Sequence, residues 1–127
     1  MRASHTQIPR TRSRELGSAR SGSRHWWLQR VTALALVPLT IWFVISLMTL
    51  IDADQRAYSQ WIVEPLNAPL MIALIVILFC HMALGLQVIA EDYLHVERTK
   101  LLAVISIQLG SLGLAIVSVV AVIRMLP

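Results

Sequence analysis

Three long, predominantly apolar stretches, at about residues 26–51, 68–90 and 101–123, fill more than half of this 127-residue chain. Each exceeds the roughly 20 apolar residues that an α-helix needs to cross a bilayer's hydrocarbon core. Inside lipid no water satisfies the backbone, so a spanning segment must close its own hydrogen bonds as a helix or join a closed barrel. Long apolar runs without alternation select the helix. The expected fold is therefore an all-α membrane protein with three transmembrane helices. Composition agrees: 57% of residues are hydrophobic and 14% charged, against roughly 25% charged in soluble domains. The chain divides into a basic, flexible N-terminal arm, residues 1–24, and a three-helix membrane unit, residues 25–127, with no room for a separate soluble domain.

Charge sets the expected orientation. Arg2, Arg10, Arg12, Arg14, Arg20, Arg24, Arg30, Arg98 and Lys100 lie in or beside the arm and the second loop, whereas the first loop and the C-terminus hold Arg56 and Arg124. Cytoplasmic segments carry the excess of Lys and Arg, which predicts an N-in, C-out topology. The arm is Ser-, Gly- and Arg-rich and holds a single acid, Glu15. Such a composition fits a cytoplasmic arm, the preferred reading, or a mitochondrial transit peptide. The membrane is thus a bacterial inner membrane, with the mitochondrial inner membrane as the alternative. Trp26 and Trp27 suit an interfacial belt. Asp52 to Asn67 form a polar connection in which Tyr58 and Trp61 favour the interface, and Asn67 is the expected N-cap of the second span. In the third span Gly110, Ser111 and Gly113 are small enough for close helix packing. The lone Cys80 lies inside a span, where it packs as a small apolar residue.

His81 lies within the second span. An ionisable side chain at membrane depth is costly and marks a functional-site candidate. Imidazole ligates haem and metals. Two readings stay open for His81: a ligand, or a buried histidine bonded to a neighbouring helix. Gly85, one turn along, is either a helix-packing glycine or a gap beside a ligand that a flat cofactor fills. The chain has four histidines, but His5, His25 and His95 lie outside the spans. If His81 binds a haem with two axial histidines, the second must come from another chain. His81, Gly85, Val88 and Asp92 are spaced 4, 3 and 4, which lines them on one helical stripe. Tyr93 follows Asp92. A phenol beside a carboxylate can hydrogen-bond a carbonyl and help relay protons, and a polar helix end with an interfacial tyrosine is the plainer alternative. His25 and Arg30 flank the start of the first span. There Arg30 either snorkels to the headgroups or pairs with carboxylates such as haem propionates. The chain has no glycine-rich phosphate loop, CxxC or HExxH. Its basic arm lacks the aromatic interleaving of a nucleic-acid binder.

Two segments together, HWWLQRVTALALVPLTIWF and FCHMALGLQVIAEDYLHVERTK, resemble the small hydrophobic membrane-anchor subunits of succinate dehydrogenase, respiratory complex II, of the alphaproteobacterial and mitochondrial type. The resemblance covers about residues 15 to 100; the third span agrees only in being apolar. It rests on an H-x3-G-x6-D-Y element, His81 to Tyr93, joined to an H-x4-R element, His25 to Arg30.

The resemblance implies half of a heterodimeric helical bundle. The partner is a second three-helix anchor, the cytochrome b subunit, and the pair holds an iron–sulfur subunit and a flavoprotein subunit at the membrane. It implies His81 as an axial ligand of haem b, with Gly85 beside it and Arg30 and His25 near the propionates. It implies Tyr93 and Asp92 at the ubiquinone site. Such a chain belongs to an enzyme but carries no active site of its own. An anchor of a quinol:fumarate reductase, and a structural or assembly protein of the membrane, are the alternatives.

Overall fold

The computed structural model describes residues 11–127, with side chains from residue 22 onward. Four helices follow one another: α1 Thr11–Leu50, α2 Gln55–Val63, α3 Asn67–Tyr93 and α4 Glu97–Ile123. Three of them, over Gly22–Leu50, Asn67–Tyr93 and Glu97–Ile123, are long and apolar enough to cross a membrane. Each matches an expected span and overruns it at one or both ends. The charged stretch after the second span is mostly helical, leaving only Leu94, His95 and Val96 as the connection.

α1 also begins earlier than its apolar run. Residues 11–24, read as an irregular arm, continue the helix; residues 1–10 of that arm lie outside the described residues. Ser and Arg are middling to good helix formers, so a long helix propagates through them once nucleated. Pro38 lies inside α1 without ending it. Proline is tolerated in membrane helices, where neighbouring groups take up the freed backbone positions.

The connection after α1 is a built corner. Asp54 caps α2, accepting a hydrogen bond from the Ala57 N–H at 2.8 Å on Oδ1. Asn67 is the first residue of α3 and not its N-cap, which is Leu66. Its side chain reaches back instead. Nδ2 donates to the Trp61 carbonyl at 2.7 Å and to Glu64 Oε2 at 3.1 Å. The Trp61 carbonyl, at the end of α2, also accepts from the Glu64 backbone N–H at 3.3 Å, so the clasp adds a second, shorter bond to it. Trp61 stacks on Trp42 of α1, with ring centroids 5.9 Å apart and planes 21° apart. Ile62 is fully buried against Ala68 and Val122. The first loop is therefore a helix pinned to the bundle.

α3 is the common partner: α1, α2 and α4 all pack on it. Between α3 and α4, Ser111 is buried. A Cβ added at Gly110 or Gly113 would meet nothing within 4 Å. Of the three small residues expected to pack, then, Ser111 does so within this chain and the two glycines face outward. Cys80 is exposed and lines the apolar groove between these helices with Ala83 and Ala115. Only 6% of the residues in each spanning window are fully buried within the chain, and many large apolar side chains are exposed, which leaves them for lipid or other subunits.

Candidate functional site

The site grows from one contact between α1 and α3. His81 Nδ1 lies 2.9 Å from Thr32 Oγ1. One turn along, a Cβ at Gly85 would meet Gln29 Nε2 at 3.5 Å. His25, Gln29 and Thr32 are spaced 4 and 3, the periodicity of a single helix face. This face of α1 lies antiparallel along the His81–Gly85 face of α3.

His81 Nε2 has no hydrogen-bond partner among the described residues and is not shut inside the chain. One ring nitrogen is thus tied to α1 while the other is open. Among the described residues no three His, Cys, Asp or Glu side chains converge. A single open imidazole would suit a metal whose other ligands come mostly from a macrocycle, as in haem. Gly85 lets the tip of Gln29 lie against the backbone of α3 one turn from His81, at ordinary contact distance from where a Cβ would stand.

Two atoms on the α1 face are buried without a partner, His25 Nε2 and Gln29 Oε1. A buried polar atom left unpaired costs about 1–3 kcal/mol. His25 can offer its Nε2–H to a carboxylate, whereas Gln29 Oε1 is an acceptor and suits a donor. Arg30 does not join them. Its guanidinium lies 5.2 Å from the ring centroid of Trp26, a cation–π contact one turn back on an exposed face. Trp26 and Trp27 are themselves exposed and meet edge to face.

Asp92 and Tyr93 close α3 at the end where α1 begins its span. Tyr93 is 77% exposed, and Asp92 is exposed as well. Tyr93 lies twelve positions beyond His81 on the same helix, about 18 Å along the axis. The imidazole and the phenol therefore belong to two places on one helix, one inside its apolar stretch and one at its charged end. The antiparallel order also puts Arg24, Arg30, Arg98 and Lys100 at this same end, with Arg56 and Arg124 at the other.

Sequence reasoning passed over Thr32 and Gln29. Their 4-and-3 spacing from His25 was present, but no periodicity in one helix says which helix faces it.

The model of the succinate dehydrogenase/fumarate reductase transmembrane subunit family matches residues 5–122 of this chain. The chain belongs to that family. Similar proteins include the succinate dehydrogenase hydrophobic membrane anchor subunit of Rickettsia bellii, 35% identical over 87% of this chain and 89% of the relative. The succinate dehydrogenase membrane anchor subunit of Reclinomonas americana is 30% identical over 70% of this chain and 77% of its own. The corresponding subunit of Paracoccus denitrificans is 28% identical over 80% and 79%. No solved structure matches. A three-span, all-α member of the succinate dehydrogenase/fumarate reductase family is what the apolar pattern and the helices describe together.

Proposed function

We propose that this chain is the hydrophobic membrane-anchor subunit of a succinate:ubiquinone oxidoreductase. The observation that carries the reading is His81, an imidazole at membrane depth with Nδ1 held by α1 and Nε2 open. Family membership and the names of the relatives support the same assignment.

His81 would hold haem b through Nε2, and a second anchor, the cytochrome b subunit, would supply the other histidine. When bound, the haem supplies a one-electron store between the two anchors. The outward apolar faces of α1, α3 and α4 are the surface on which the second anchor packs. His25 is the residue placed to meet a propionate. Arg30 reaches one only by leaving Trp26. At the end of α3, Tyr93 donates its phenolic O–H to a ubiquinone carbonyl, and Asp92 holds and passes on a proton from the aqueous side. The flavoprotein and iron–sulfur subunits dock at this end, where succinate oxidation delivers electrons. The chain has no active site of its own. The Lys and Arg clustered here support a topology with this end on the cytoplasmic side of a bacterial inner membrane, N-in and C-out. In a mitochondrial inner membrane it would face the matrix, and sequencing the mature N-terminus separates the two.

The test is a reduced-minus-oxidised spectrum of the complex co-expressed with its partner subunits. His81→Ala removes the b-type band while the subunits still co-purify. A band that survives His81→Ala returns His81 to a packing role. Comparing succinate-driven quinone reduction with quinol-driven fumarate reduction distinguishes the two activities named in the family.

A further inference from the structure

The three short contacts of one hydroxyl carry an inference about His81. Thr32 Oγ1 lies 2.7 Å from the Leu28 carbonyl, 3.2 Å from the Gln29 carbonyl and 2.9 Å from His81 Nδ1. A threonine hydroxyl has one proton to donate and two lone pairs to accept with. Carbonyl oxygens only accept, so the 2.7 Å approach to Leu28, the shortest of the three, favours a proton between the two oxygens. This is the back-bond to the preceding turn that helical threonines commonly make. With its proton committed, Oγ1 can only accept from the imidazole. His81 then carries its proton on Nδ1, and Nε2 is left with a free lone pair.

We infer that Thr32 is a positioning residue that presets the tautomer and ring orientation of His81, so that Nε2 is ready to bind iron. It acts through the imidazole and touches no cofactor atom. The inference rests on the haem reading above and adds to it the polar contact behind the ligand. Hydrogen bonds to the far nitrogen of a ligating histidine fix its orientation and raise its basicity, and removing them typically costs about 10–100-fold in metal affinity or activity.

The experiment compares Thr32→Val, Thr32→Ser and His81→Ala in the complete complex. Thr32→Val keeps the side-chain volume and removes the acceptor. Thr32→Ser keeps the hydroxyl. The expected results for Thr32→Val are haem binding weakened by about 10–100-fold, a higher midpoint potential and a changed low-spin ferric EPR signal. A weaker donor stabilises ferric iron less, which sets the sign of the potential change. Thr32→Ser restores all three. If Thr32→Val does not assemble, Thr32→Ala is measured in its place with the same expectation. Unchanged potential and EPR signal in the loaded Thr32→Val complex overturn the role of Thr32. If His81→Ala abolishes the band in that case, the haem reading itself survives. A band that persists in His81→Ala overturns the haem reading, and the role of Thr32 with it.

Discussion

Replacing Gly85 separates a glycine kept for helix packing from one kept for a cofactor. Within this chain, a Cβ at Gly85 meets Gln29 Nε2 at 3.5 Å and nothing closer. That is ordinary contact with the end of a flexible side chain, so alanine fits without moving α1 from α3. Glycine inside a helix is also less favourable than alanine by about 1 kcal/mol. Gly85→Ala should therefore leave the chain as stable as before, or more so by up to about that amount. Gly85→Leu is different: its isobutyl group must displace Gln29 or fill the gap beside His81. If the gap is a haem face, the haem-to-flavin ratio of the purified complex falls from glycine through alanine to leucine. Subunit co-purification holds throughout. The ratio, read with the thermal midpoint of the complex, gives both quantities from one preparation. A full haem complement in a stable Gly85→Leu complex would refute the reasoning. A lower midpoint in Gly85→Ala at an unchanged haem-to-flavin ratio would do so from the other side, because it would mean that another helix packs against this glycine.

Other expectations concern the ends of the helices. Tyr93→Phe should lower quinone reductase activity and leave the b-type band intact, since a side chain 77% exposed in this chain holds none of its fold together; unchanged quinone kinetics would remove Tyr93 from the site. Asn67→Ala breaks the clasp on Trp61 and Glu64. One neutral and one charge-assisted hydrogen bond are lost, about 2–3 kcal/mol together, visible as faster hydrogen exchange across Gln55–Val63. Ile62→Ala empties a fully buried position and should destabilise the same corner by about 2–5 kcal/mol, read as a lower thermal midpoint with haem content retained.

The helices were legible for a simple reason. A bilayer leaves an apolar run of this length one way to satisfy its backbone, so the three spans followed from hydropathy and length alone. Their ends were less legible: α1 runs back to Thr11 and α4 starts at Glu97, because charged and serine-rich residues at an interface do not stop a helix that the apolar run has nucleated. The corner at α2 was missed as a helix because its signal is short. Nine residues show one buried face, and the aromatics Tyr58 and Trp61 fit an interface equally well. Asn67 was read in the forward direction, as a cap for α3, whereas its amide turns back to α2. A polar side chain between two helices can serve either end, and the choice depends on where the first helix stops.

The candidate site divides along the same line. That His81 is the histidine at membrane depth, that any second axial histidine must come from a partner, and that Asp92 and Tyr93 end the same helix are all matters of order along the chain. Which residue stands behind His81 is not. Thr32 is 49 positions away, and only the packing of α1 on α3 brings its hydroxyl to Nδ1. The same packing turns Gln29 to Gly85 and leaves Arg30 on Trp26. Hydropathy decides that a segment enters the membrane because lipid treats every face of a helix alike. It cannot decide which face meets which neighbour, because that choice is made by side-chain contacts between helices distant in the chain.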